Sequence, residues 1–419
     1  MLKLPKSYSS KHTSKLGKRN SHTMDIIRLF TLLTLASIIP GQLIRIPLGI
    51  SGAITLTDVS VIVTVLAFTV HSLYSKRKIY LQKNIFYFFL IFIISALAST
   101  ILALNTFSIN EVTLGTFFLI RFIFYFLISV VALNVIKINE IESWLKAILV
   151  FGTIFTLIGL IQLLTFPDLR LLTIFGWDPH STRLVSSLVD PNFTGGLLAL
   201  FFTVSLSLYV FKKDAAYLLL SILFLASLIL TFSRSAYLAL TVATIVIGAF
   251  KSPRLIFAIL LIFLVSLALI SKSRERVVAG LTLDETARAR IESWQNAYSI
   301  FSKNILFGVG FNTFRYVQIQ AGAFSIDNPQ GGHSGAGVDS SILFVAATTG
   351  IFGLGTFILF LISIFKTIFK GIENSYIKLI TFTSIILLLV HSQFVNSLFF
   401  PQIMIIFWFL LGLNFVRDL

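Results

Sequence analysis

The sequence has no cysteine, which excludes disulfides, thiolate metal sites and a cysteine nucleophile. Charge is scarce as well: 12% of the 419 residues are charged, with only 17 acidic residues against 33 basic ones. No Asp-x-Asp pattern and no His/Cys cluster occurs, so the sequence shows no evident metal-ligand set, and neither a metal nor another cofactor is expected. What the chain has in quantity is apolar sequence, 56% of it, with a mean hydropathy of +0.94. Such a composition excludes the soluble classes and makes lipid the main solvent.

Runs nearly free of charge recur along the chain, and a hydrocarbon core of ~30 Å takes about 20 residues of helix. Twelve segments qualify: 26–44, 54–74, 85–104, 112–134, 145–166, 195–211, 214–232, 235–250, 254–270, 341–365, 377–394 and 397–416. The expected fold is an all-α membrane protein of about twelve transmembrane helices. One large, partly helical loop, 271–340, lies between spans 9 and 10. Forty-three phenylalanines fit lipid exposure.

A net charge of +16 would suggest nucleic acid for a soluble protein; here the placement of the charges says more than their sum. With the N-terminus in the cytoplasm, 21 of the 33 basic residues fall on the inner side, among them the cluster Lys76, Arg77, Lys78 and Lys83. The short outer loops keep only Arg45, Arg170, Arg183 and Arg234. Loop 271–340 is then extracytoplasmic, and the partners to expect are membrane lipids, not nucleic acid. Residues 1–24 have no apolar core or cleavage site, so they read as a basic, disordered cytoplasmic tail and 25–419 as the polytopic domain.

Three polar segments then share the outer face. In "DPHSTRLVSSLVDPNFTGG", Asp190 or Asn192 is placed to cap the sixth span, and Arg183 is either a headgroup-level anchor or a site residue. In "LILTFSRSAYLALTV", Arg234 stands between apolar stretches with no acidic residue within a turn or two. A guanidinium near lipid must snorkel, pair or line a wet cavity, so Arg234 is either a snorkelling residue or an anion-binding one. Arg121 in "FFLIRFIFYF" raises the same question, or pairs with a carbonyl of another helix.

The third segment contains "ARARIESWQNAYSIFSKNILFGVG". Thr282 and Glu285 have capping-box spacing, predicting a helix start near Leu283. At 100° per residue Ala287, Ile291, Trp294, Ala297, Tyr298 and Phe301 share one face, and Arg290 falls inside that arc. Arg288 and Glu292 fall opposite as a solvated pair. Gly308 and Gly310 suit a sharp turn. Near the loop's end, His333 is either a surface residue or a base or substrate contact, and Asp339 either caps the next span through Ser340 and Ser341 or acts in chemistry.

Taken in order, "RLVSSLVDPNFTGGLLAL", "TFSRSAYLAL", Arg290 four residues before Trp294, "NILFGVGFNTF" and "VDSSILFVAATTGIFGL" resemble the O-antigen ligase and polymerase superfamily of bacterial membrane glycosyltransferases over residues 150–365. The resemblance implies an enzyme of the cell membrane with its active site outside, taking a polyprenyl-diphosphate-linked glycan as donor and a glycan or glycolipid as acceptor. It implies Arg234 and Arg290 as diphosphate ligands. The family's His-Asn position is filled here by Asp339 and Ser340, with His333 six residues earlier, so both are candidate bases. Arg183, Asp190, Asn192, Arg288 and Arg121 remain possible supports. Physical chemistry agrees: a departing diphosphate needs fixed cations or a metal, and arginine grips phosphate oxygens bidentately. The competing class is a transporter or lipid-linked oligosaccharide flippase, which should show inverted halves and polar helix breaks; the sequence displays neither.

Overall fold

A computed structural model describes residues 10–48, 52–175, 177–322, 337–369 and 374–417. Each of the twelve apolar segments holds a helix. In chain order the helices are α1 (Ser10–Ala36), α2 (Leu56–Tyr74), α3 (Lys83–Leu102), α4 (Ile109–Val135), α5 (Ile141–Thr165), α6 (Pro191–Lys212), α7 (Ala215–Leu230), α8 (Arg234–Lys251), α9 (Pro253–Leu269), α10 (Ser271–Leu281), α11 (Glu285–Lys303), α12 (Phe314–Gln320), α13 (Ser341–Phe369), α14 (Tyr376–His391) and α15 (Pro401–Leu413). The protein is a mostly helical membrane protein. Among the described residues seven helical segments are long and apolar enough to cross a bilayer, and α7, α14 and α15 are apolar but shorter.

Two expectations change here. Helix α1 itself starts at Ser10, within the basic tail. The first apolar run leaves its helix at Ala36, where Pro40 and Gly41 turn the chain into a short hairpin, β1 (Arg45–Pro47) against β2 (Ala53–Thr55). Phenylalanine is not mainly a lipid-facing residue: Phe92, Phe122, Phe201, Phe224, Phe357 and Phe360 are among the largest fully buried side chains. Phe89 stacks on Phe126 at 3.7 Å between ring centres, and Trp408 joins the same aromatic core. Helix association in lipid depends on close packing, because the tails are as apolar as the side chains.

Small residues bring the helices together. α6, the most enclosed of the seven long apolar segments, packs along α7, α8 and α14. A Cβ on Gly195 would lie 2.6 Å from that of Ala236, and one on Gly196 would lie 2.7 Å from the His391 ring. The N-terminal ends of α6 and α8 are thereby held beside the C-terminal end of α14.

α13 is broken at Gly350 (φ 65°, ψ −166°). The groups freed by the break pair with the preceding loop: Val309 and Gly310 N–H donate to the carbonyls of Ala347 and Thr348 at 3.1 and 2.9 Å, and Ile351 N–H donates to Ile305 at 2.7 Å. Gly308 and Gly310 (φ 67° and 103°) let the loop approach so closely. The sequence had displayed no helix break, because an isolated glycine does not announce one.

Arg121 lies buried against Asp58, with Nη2 2.9 Å from Oδ2, while Tyr125 donates to the other carboxylate oxygen. The same Asp58 closes the capping box of α2 with Thr55. Arg121 therefore ties α4 to the start of α2, a packing role.

Candidate active site

The polar residues meet where the ends of α6, α8, α11, α13 and α14 converge. Asp190 is the N-cap of α6, its Oδ1 accepting from the N–H groups of Asn192 and Phe193 at 2.6 and 2.9 Å. Asn192 does not cap. Its Oδ1 accepts from Ser233 Oγ at 2.9 Å, which starts a chain through Ser235 to His391 and Ser397. Arg183 does not stand free: its guanidinium donates to the carbonyls of Thr231 and Phe232 at 2.9 and 3.2 Å. These bonds fix the α7–α8 turn, where Phe232 has φ 51°, and so set the direction of Arg234.

Arg234 is not unpaired. Its Nη2 donates to Asp284 Oδ1 at 2.9 Å and to Thr286 Oγ1 at 2.6 Å. The partner stands 50 residues along the chain, which is why a search within a turn or two missed it. Asp284 is also the N-cap of α11, accepting from Ala287 N–H, so the expected Thr282–Glu285 box is replaced. Thr282 ends α10 instead, and Leu283 at φ 55° makes the corner. Burial pushes the Asp284 carboxyl up, but the bonds from Arg234, Ala287 and Thr286 outweigh it and hold the group below the usual carboxylate range.

α11 separates its two arginines. Arg288 is exposed and bonds back to the Leu283 carbonyl; no ion pair joins it to Glu292 among the described residues. Arg290 is half-buried on the inner face. Tyr298, expected on that face, is 64% exposed because the covered stripe runs through Arg290, Trp294, Ala297 and Phe301 and leaves Tyr298 at its edge. One turn beyond Arg290, Trp294 Nε1 donates to the Asp339 carbonyl at 3.0 Å and Ser293 Oγ accepts from Asp339 N–H at 3.1 Å. α11 thus pins the backbone of Asp339 directly before α13.

Asp339 does not cap α13; the Ser340 hydroxyl accepts from Leu343 N–H instead. Burial raises the Asp339 carboxyl to about 6, against the pull of Arg290 and with added repulsion from Asp190. Burial lowers the Arg290 guanidinium, while Asp339 supports its charge and Arg234 opposes it. Arg290 therefore lies within electrostatic reach of Arg234, Asp339 and Asp190, and Asp339 within reach of Asp190. His333 lies outside the described residues.

The fold also gathers three ligand-capable residues of one segment, 178–190. The ligand atoms of Asp178, His180 and Asp190 lie within 4.8 Å of one another, which corrects the reading that the chain offers no ligand set. Burial lowers His180 to about 4, Asp190 raises it, and Arg183 and Arg276 lower it. Asp190 in turn supports the charge of Arg183. His391, fully buried under the site, had been absorbed into an apolar run and gave no signal.

The site is thus a cluster of arginines and half-buried carboxylates at the converging helix ends of a polytopic helical membrane protein. Residues 217–358 match the family model for O-antigen ligase (Wzy_C), a stretch that runs from α7 into α13 and contains Arg234, Arg290 and Asp339. This stretch of the chain is thus similar to the O-antigen ligase family. A search of curated proteins returns no match.

Proposed function

We propose that the chain transfers or polymerises a glycan from a polyprenyl-diphosphate donor onto an acceptor sugar hydroxyl at the outer face of the cell membrane, with inversion and without a metal. The observation that carries this reading is that Arg290 lies within electrostatic reach of both Arg234 and the raised carboxylate of Asp339. The acceptor oxygen attacks the anomeric carbon as the bond from that carbon to the phosphate oxygen breaks. The electron pair leaves on the diphosphate, whose charge Arg234 and Arg290 take up, and the acceptor proton passes to the base.

Asp339 is the favoured base. An ordinary aspartate near pKa 3.9 holds a proton poorly at neutral pH, whereas one raised to about 6 accepts it well and is still ionised to begin with. Because the deprotonated form is the active one, the rate should rise with pH through about 6. In Asp339→Asn that rising limb should vanish, while His333→Ala should keep it; a limb lost in His333→Ala and retained in Asp339→Asn transfers the role to His333.

The transporter reading has one specific point in its favour, the broken helix, since transporters bind ions with the backbone groups such breaks release. Here Ile305, Val309 and Gly310 take up those groups. The break therefore serves packing, and the transferase reading stands ahead.

A further inference from the structure

The α10–α11 corner meets the Arg234 side chain from three directions. Asp284 Oδ1 and Thr286 Oγ1 take both Nη2 hydrogens, the Arg276 carbonyl faces Nη1 at 3.4 Å, and Gly280 lies flat beneath. A Cβ built on Gly280 would stand 2.6 Å from Nη1 and 3.0 Å from Cδ of Arg234, so any larger residue there must displace the guanidinium. Asp284 also faces Arg276 at 3.8 Å, so a single carboxylate serves two guanidiniums and the corner stays net positive. Among the described residues Arg234 keeps two of its five N–H donors uncommitted, on Nε and Nη1. It also begins α8, where the helix dipole favours an anion.

We infer that Gly280, Asp284 and Thr286 form a positioning socket that fixes Arg234 before substrate arrives. The inference rests on Arg234 gripping the donor diphosphate. A long side chain at a helix start samples many rotamers, and one already ordered loses less freedom on binding. The socket leaves the charge in place and sets its direction. None of the three socket residues touches the donor in this account, so they act through Arg234.

The test is a set of full-length variants in nanodiscs, assayed for transfer from lipid-linked oligosaccharide with thermal unfolding followed in parallel. Gly280→Ala and Asp284→Ala should each lower kcat by roughly 10- to 100-fold with KM for the acceptor unchanged, the scale of loss that a misplaced ligand-holding group produces. Asp284→Asn, which keeps an acceptor oxygen, should recover part of that loss. In an Arg234→Ala background, where a Cβ at 280 no longer meets a guanidinium, Gly280→Ala should leave the melting temperature of that background unchanged, which a merely structural glycine would not show. Thr286→Val supplies a milder opening of the socket should either of the first two fail to fold. Wild-type turnover in the folded socket variants, with Arg234→Ala inactive, overturns the socket alone. A rise in activity in Asp284→Ala also overturns it and makes the carboxylate a plug. A fully active Arg234→Ala would instead refute the role of Arg234 and the socket with it.

Discussion

Arg290→Ala is expected to lower transfer by at least about a hundredfold, the scale seen when one preorganised charge-stabilising donor is removed, while Arg288→Ala stays within a fewfold of wild type. The two residues are neighbours in sequence and share their chemistry, so the contrast isolates geometry. Arg290 is half-buried beside Asp339 and Arg234, whereas Arg288 is exposed and spends its Nε on the Leu283 carbonyl. Lysine at 290 should rescue poorly, because an ammonium cannot span two phosphate oxygens as the planar fork does. Initial rates for Arg288→Ala, Arg290→Ala and Arg290→Lys at matched protein levels decide it. Equal losses at 288 and 290 would show that the face of α11 does not govern function.

Gly350→Ala is expected to be the most damaging single substitution for folding. A Cβ there would lie 2.3 Å from the Leu306 carbonyl oxygen, a backbone atom that cannot swing aside. The backbone conformation, φ 65° and ψ −166°, is one that essentially only glycine adopts. Strain and overpacking together cost roughly 3 kcal/mol or more, enough to separate the Asn304–Gly310 loop from the broken helix. The measurement is the yield of monodisperse protein and its melting temperature in detergent. A variant that expresses and melts like wild type would contradict the described docking of the loop on α13.

The fold was legible wherever burial is continuous: every apolar run became a helix, because a span must satisfy its own backbone. The hairpin at Arg45–Thr55 and the break at Gly350 were not, since each depends on one or two glycines whose neighbours come from distant segments. In the site, the inward direction of Arg290 could be read from helical periodicity, a local property. The Arg234–Asp284 pair could not, because it joins residues 50 apart through a corner that the sequence assigned to Thr282. Arg121 with Asp58 escaped for the same reason, since the partners face one another only once α2 and α4 are packed; Asp178, His180 and Asp190 lie within one segment, 178–190, whose folding back on itself the sequence does not show.

The most direct test of the central claim is incubation of the purified protein with polyprenyl-diphosphate-linked oligosaccharide and a glycan acceptor, following free polyprenyl diphosphate with and without a chelator. The account predicts acceptor-dependent release, one diphosphate lipid for each glycan transferred, undiminished by the chelator and lost in Arg290→Ala. Intact lipid-linked glycan crossing the membrane with no bond broken, or release that stops when divalent cations are removed, would contradict it.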